Sequence, residues 1–140
     1  MAKYRWGKRS LHRLEHVEQS LVRLMTAAIA DERCPCDVTV VEGHRTMARQ
    51  AELYAKGRTA PGPRVTNAKP GQSRHNSMPS QAVDVAPCDR RGDPLWNERE
   101  LFDAFGSHVE TVADELGIAV TWGGRFSWGY DGAHFELQEK

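Results

Sequence analysis

A carboxylate in the middle of an apolar run sets the tightest limit on how this chain can fold. Ala82-Val-Asp-Val-Ala reads as a buried strand, with Val83 and Val85 on one face and Ala82, Asp84 and Ala86 on the other. A strand of this kind needs neighbours to complete its hydrogen bonds, so the chain must build a sheet. An ionised carboxylate buried there costs on the order of several kcal/mol unless it is paired or bound to a metal. The small alanines beside Asp84 leave room for an ion and a substrate. Taken alone, though, Asp84 is more simply read as a salt-bridged structural aspartate.

The rest of the chain supplies helices and further short strands. Leu11, Leu14, Val17, Leu21, Leu24 and Ala28 recur at three- and four-residue steps, which predicts an amphipathic helix over roughly 10–31 capped by Ser10. His12 and His16 sit one turn apart on it, off the apolar face, and read as a solvated pair. Asp37 to Gly43 reads as a strand. Thr46 to Lys56 reads as a helix that packs through Ala48, Ala51, Leu53 and Tyr54 and stops at Gly57. Arg58 to Ser73 is a long Pro/Gly-containing loop, of a length that is usually functional or mobile. A third helix runs from an Asn97 cap to Leu116 and ends at Gly117, followed by a strand at Ile118 to Trp122. Gly123 to Gly132 is an aromatic loop, and His134-Phe-Glu-Leu a final short strand. Helices lead strands instead of alternating with them, so the expected class is α+β: an antiparallel sheet with helices packed on it. Residues 1–140 are expected to form one domain, with 1–9 as a flexible basic N-terminus.

The charge balance narrows the partners. The formal net charge is zero, but residues 1–74 carry 14 Lys and Arg against 7 Asp and Glu, and residues 75–140 carry 5 against 12. The basic end could meet an anionic wall polymer or lipid headgroup; the plainer reading is a solvated terminus. Trp6 could join such an engagement or simply pack. Nucleic acid is disfavoured, because no basic stripe interleaved with aromatics continues along the chain. No apolar run approaches the ~20 residues of a membrane span, and no secretory signal is evident. The expected compartment is the cytoplasm of the producing cell, with no stable membrane insertion and nothing that demands more than a monomer. Cys34, Cys36 and Cys88 match neither a disulfide framework nor a Cys-x-x-Cys zinc knuckle, although Cys88 lies only four residues beyond Asp84.

Three further residues turn Asp84 into a candidate site. His134 and Glu136 share one face of the last strand, opposite Phe135 and Leu137. Asp131 lies three positions before His134, and Gly132 between them permits a turn that brings both to one side. His75 follows the long loop, nine residues before Asp84. Two imidazoles and one carboxylate leave a fourth position open for water, the arrangement of catalytic zinc sites, and a nearby carboxylate can serve as base. Each residue has a bland alternative: a satisfied core histidine, a hairpin-turn aspartate, a surface ion pair.

Gly43-His-Arg-Thr, Gln50-Ala-Glu-Leu-Tyr-Ala-Lys-Gly-Arg-Thr, Pro70-Gly-Gln-Ser-Arg-His, Ala82-Val-Asp and Tyr130-Asp-Gly-Ala-His-Phe-Glu-Leu occur in an order that resembles the D-alanyl-D-alanine carboxypeptidase and endolysin family of zinc peptidases. Within it, the likeness is greatest to phage L-alanyl-D-glutamate endopeptidases. The resemblance covers about residues 38–137 and implies the hedgehog/DD-peptidase fold. It implies Zn2+ held by His75, Asp84 and His134, with Asp131 as general base and Arg45 as the donor to the developing oxyanion. Ser73 and Gln50 would bind substrate or support the site. The link Asn76-Ser-Met-Pro-Ser-Gln lacks the glycine of the commoner family form and is two residues longer.

The implied substrate is the stem peptide of peptidoglycan, cut by an endolysin that a holin admits from the host cytoplasm to the wall. Two other readings remain open here: a D-Ala-D-Ala carboxypeptidase or dipeptidase with the same chemistry, and a non-catalytic zinc module that binds wall or serves as a phage structural part. Asp131 and Arg45 argue against the second, because a binder needs neither a base nor an oxyanion donor.

Overall fold

Residues 3–138 are described by a computed structural model. At its centre lies a four-stranded antiparallel sheet in the order β1-β2-β4-β3, formed by β1 (Val38–Glu42), β2 (Ala82–Pro87), β3 (Val120–Trp122) and β4 (His134–Leu137). The helices are α1 (Lys8–Arg13), α2 (Gln19–Ala30), α3 (Met47–Ala55) and α4 (Arg99–Leu116). The expected α+β class and antiparallel sheet are what the chain adopts.

One face of the sheet is apolar, as the alternation in β2 and β4 predicts. Val83, Val85 and Phe135 join Val38 and Val40 against Leu21, Leu24, Met25 and Ala28 of α2 and Phe105, Val109 and Val112 of α4. Phe105 meets Phe135 edge-on at 6.0 Å. The imidazole of His108 in α4 donates from Nε2 to the Ala28 carbonyl at 2.9 Å, which ties α4 to α2. Ala86 is closed over by Phe102 and Ala133, so the space beside Asp84 lies away from it.

The single helix expected over 10–31 is two helices. His16 adopts a positive φ of 65°, and Ser80 bonds into the break: its N–H donates to His16 O at 2.7 Å and its carbonyl accepts from Glu18 N–H at 2.9 Å. Glu18 then caps α2 by accepting from Ser20 N–H. Ser10 is accordingly no cap. It lies buried inside α1, where its hydroxyl accepts from Val40 N–H at 2.9 Å, while Arg13 Nη1 donates to Val40 O at 2.9 Å. β1 is an edge strand, and α1 saturates the edge groups that would otherwise stand unpaired. Turning α1 to that task leaves Leu11 56% exposed, unlike the other five residues of the predicted stripe.

Other boundaries shift slightly. Thr46 caps α3 by accepting from Arg49 N–H, and the face of α3 that turns inward carries Gln50 and Leu53, whereas Ala48 and Ala51 are exposed. Glu98, not Asn97, occupies the N-cap of α4, and Gly117 ends it in the left-handed conformation at φ 71°. Of the N-terminal segment expected to be flexible, Tyr4 and Trp6 pack on the core, and Trp6 Nε1 donates to Thr26 Oγ1; Met1 and Ala2 lie outside the described residues. Cys34, Cys36 and Cys88 are free thiols, and Cys88 sits near Arg9, Asp37 and Arg91, away from Asp84's cleft. Burial and the neighbouring acids push the Cys88 thiol up to about 12, leaving it unreactive.

Candidate active site

The polar face of the sheet carries a row of charge. A shift of register between Val40 and Glu42 places Glu42 opposite Asp84, and Asp84 lies opposite His134. Three adjacent strands thus contribute Glu42, Asp84 and His134 in one line, with Glu136 two residues further along β4. His75 reaches the same point from a 3-10 turn, Arg74–Asn76, whose N-cap Ser73 accepts from His75 N–H. The predicted turn at Asp131 also forms, with His134 N–H donating to Asp131 O at 3.1 Å. Gly132 is needed there for its size, since any side chain would run into the Tyr130 ring.

Each imidazole is oriented by a second partner. His75 Nδ1 lies 2.7 Å from the Gly43 carbonyl, which can only accept, so the hydrogen is on Nδ1 and the Nε2 lone pair faces Asp84 Oδ1 at 3.3 Å. His134 Nε2 lies 2.7 Å from Glu136 Oε1, and its Nδ1 lies 3.2 Å from Asp84 Oδ1. Burial by itself would raise Asp84, but the neighbouring His75 and His134 rings hold it well below the usual carboxylate range. Burial opposes the charged form of His134, yet Asp84 and Glu136 outweigh it and carry the group up to about 9. Asp131 is held above its ordinary value, first by burial and then by the neighbouring charge of Asp84.

These groups fit a metal ion. Ligand atoms of His75, Asp84 and His134 lie within 4.8 Å of one another. Among the described residues, His75 Nε2 is buried with no hydrogen-bond partner, an arrangement that costs free energy unless something binds there. Two nitrogens and one carboxylate form a donor set suited to zinc, and the outer partners of both imidazoles fix the tautomers such binding requires.

Arg45 sits beside this cluster. Its Nε and Nη2 donate to the two oxygens of Glu42 at 2.9 and 2.6 Å, its Nη1 donates to Gln50 Oε1 at 2.8 Å, and Nη2 stands 3.8 Å from Asp84. A guanidinium has five N–H groups, so donors remain for a ligand in the cleft. Gln50 does not line the cleft and stands in a supporting position instead. It is fully buried behind Arg45, and its amide donates to the Ala68 carbonyl at 2.6 Å. The long loop is therefore anchored rather than free: Gln50 holds Ala68, Asn76 Oδ1 accepts from Gly71 N–H, and Arg58 donates to the Thr66 carbonyl.

Ser73, Arg45, His75, Asp84, Asp131 and His134 all line one cleft of about 540 Å³. Glu42, Glu136, Phe126 and Trp128 also line it and were not singled out from the sequence as site residues. Glu136 had a signal, since strand alternation places it on the face of His134. Glu42 had a misleading one, because unbroken alternation from Val38 and Val40 points it into the core.

Comparison with known proteins agrees with this geometry. The family model for phage L-alanyl-D-glutamate peptidases matches residues 2–139. The L-alanyl-D-glutamate peptidase of Escherichia phage T5 is 30% identical over 145 residues, covering 96% of this chain and 98% of that protein. The peptidoglycan L-alanyl-D-glutamate endopeptidase CwlK of Bacillus subtilis is 35% identical over 100 residues, which are 71% of this chain and 56% of CwlK. Among solved structures, the Serratia marcescens L-Ala D-Glu endopeptidase ChiX superposes with a TM-score of 0.76 at 32% identity, over 96% of this chain and 90% of ChiX. The zinc-bound D,D-pentapeptidase VanY superposes at 0.53 with 17% identity, over 85% of this chain and 68% of VanY, and shares the fold. With a family match across nearly its whole length, the chain belongs to the phage L-alanyl-D-glutamate peptidase family.

Proposed function

We propose that this protein is a zinc peptidase that hydrolyses the L-Ala–D-Glu amide of the peptidoglycan stem peptide. The observation that carries the reading is the buried, unpartnered His75 Nε2 facing Asp84 and His134 at the floor of a cleft that also holds Asp131 and Arg45.

His75, Asp84 and His134 would hold the ion, which would supply Lewis-acid chemistry, polarising a carbonyl and lowering the pKa of water to roughly 7. Gly43 O and Glu136 keep both imidazoles in the ligating tautomer. The Asp131 carboxylate takes the proton of the attacking water and passes it to the leaving amine. Arg45, held in place by Glu42 and Gln50, donates to the carbonyl oxygen as charge develops on it. Ser73 stands at the cleft wall beside His75, in reach of the substrate backbone.

The protein acts as a single-domain monomer and serves phage lysis. It reaches the wall once the host membrane has been opened by a holin. Support comes from the phage relative and from the chain's composition; no helix among the described residues is long and apolar enough to cross a membrane.

Digestion of purified Gram-negative peptidoglycan, with products read by mass spectrometry, tests the reading. New N-terminal D-Glu that vanishes with chelator and returns with zinc is expected. Release of D-Ala would move the activity to a carboxypeptidase. No cleavage by zinc-loaded protein would leave a binding module and overturn the role of Asp131.

A further inference from the structure

The cleft has an aromatic wall that the chemistry above does not use. Trp128 is 75% exposed, the most exposed of the large hydrophobic side chains, yet it is ordered against a partner. Its indole stacks on Phe126 with centroids 4.4 Å apart and planes 21° from parallel, and Phe126 in turn leans on the His134 ring at 5.7 Å. Two ring-to-ring steps therefore connect the candidate metal ligands to an open, flat indole face at the mouth of the cleft. Exposed apolar surface rimmed by polar groups at the edge of a cleft commonly marks a binding surface.

The proposed reaction says what lies nearby. In peptidoglycan, L-Ala is joined through its amine to the lactyl group of a muramyl sugar. The scissile carbonyl is thus separated from the pyranose only by the L-Ala and lactyl units, about 7 Å if each spans the ~3.5 Å of an extended residue. The ring-to-ring steps from His134 to Phe126 and from Phe126 to Trp128, 5.7 and 4.4 Å, are of the same order as that reach. The axial C–H groups of a pyranose ring lie flat on an indole face, and its hydroxyls remain in water, as an exposed platform requires.

We propose that Phe126 and Trp128 form a subsite for the N-acetylmuramyl ring, so that the enzyme recognises glycan-linked stem peptides in preference to free ones. The inference rests on the L-Ala–D-Glu reading and adds the sugar to the substrate. Trp128 is the contacting face, and Phe126 is the support that sets its angle and distance from His134.

The test compares zinc-loaded wild type, Trp128→Ala and Trp128→Phe on two substrates: a muramyl-linked stem peptide and the same peptide with a free amino terminus. Wild type is expected to cleave the muramyl peptide with the higher kcat/KM. Trp128→Ala should reduce that preference by about fivefold or more through KM, the loss that truncating a contacting tryptophan brings, and Trp128→Phe should restore most of it. Equal wild-type efficiency on the two substrates, or a preference untouched by Trp128→Ala, would overturn the subsite while leaving the peptidase intact. Cleavage of neither substrate would overturn both, and the absence of any product separates that case from the first.

Discussion

Replacing Gly106 by alanine sets two physical effects against each other, and the structure decides between them. Gly106 lies in the interior of α4, where helix propensity alone favours alanine over glycine by about 1 kcal/mol. The position is buried against Trp122, however, and a methyl group there would fall within 3.0 Å of the indole ring. The nearest ring carbon would stand 2.1 Å away, so ordinary packing distance would require the ring to withdraw by roughly 1.5 Å. Trp122 has little freedom to do so: it is 3% exposed, and its Nε1 donates to Gly132 O at 2.8 Å. Overpacking of this kind costs about 1–3 kcal/mol, and losing the buried hydrogen bond adds about 1–3 kcal/mol. Against the propensity gain of about 1 kcal/mol, Gly106→Ala is expected to be destabilising by about 3 kcal/mol. With a urea m-value of about 2 kcal/mol/M, the midpoint should fall by about 1.5 M. The same displacement pushes on Gly132, which joins Asp131 to the strand bearing His134, so kcat should fall as well. Urea denaturation followed by circular dichroism, with a peptidoglycan assay below the transition, measures both. A variant as stable as wild type with unchanged kcat would show that Trp122 is not wedged against Gly106 and does not position the Asp131 turn.

Asp131→Asn should keep its zinc, measured by metal analysis after dialysis, while turnover falls by about 10²–10⁴-fold, the contribution of a general base; Asp84→Ala should lose both. Removing the metal with chelator should lower the melting temperature by about 5–10 °C, because occupancy at a hundred times Kd stabilises the fold by about 2.7 kcal/mol; a shift in wild type but not in Asp84→Ala locates the effect. Gln50→Ala leaves Arg45 Nη1 and the Ala68 carbonyl without their shared partner, so stability should fall by about 1–3 kcal/mol and limited proteolysis should cut first between 58 and 73. Proteolysis unchanged from wild type would mean that Gln50 does not anchor the loop.

Much of the site was legible because it depends on local periodicity. Alternation in β2 and β4 placed Asp84, His134 and Glu136 on one face without reference to any other part of the chain. The Asp131 turn and the capped ends of α3 and α4 were similarly local, to within a residue. What escaped depends on partners distant in sequence. Glu42 reaches the charged row only because β1 slips register against β2, and the break between α1 and α2 exists because Ser80 bonds into it. Gln50 is polar on the inward face of a helix, and its burial makes sense only once Arg45 and Ala68 stand on either side of it. Phe126 and Trp128 come from an irregular loop whose residues carry no periodicity to show which way they face.

The segment from Asn76 to Gln81 takes on a different meaning beside the helix break. Ser80 is held between His16 and Glu18 through its backbone, and its hydroxyl lies against Gly43 O and Ala82 O. Gly43 O is the same carbonyl that sets the His75 ring. Ser80 therefore acts as a bracket, its backbone bolted to the turn between the N-terminal helices and its hydroxyl to the carbonyl that supports a metal ligand. The spacing between His75 and Asp84 is gauged by a part of the chain that never enters the cleft. A change at the His16 turn would therefore reach a metal ligand through Ser80 and Gly43 with no residue of the cleft altered.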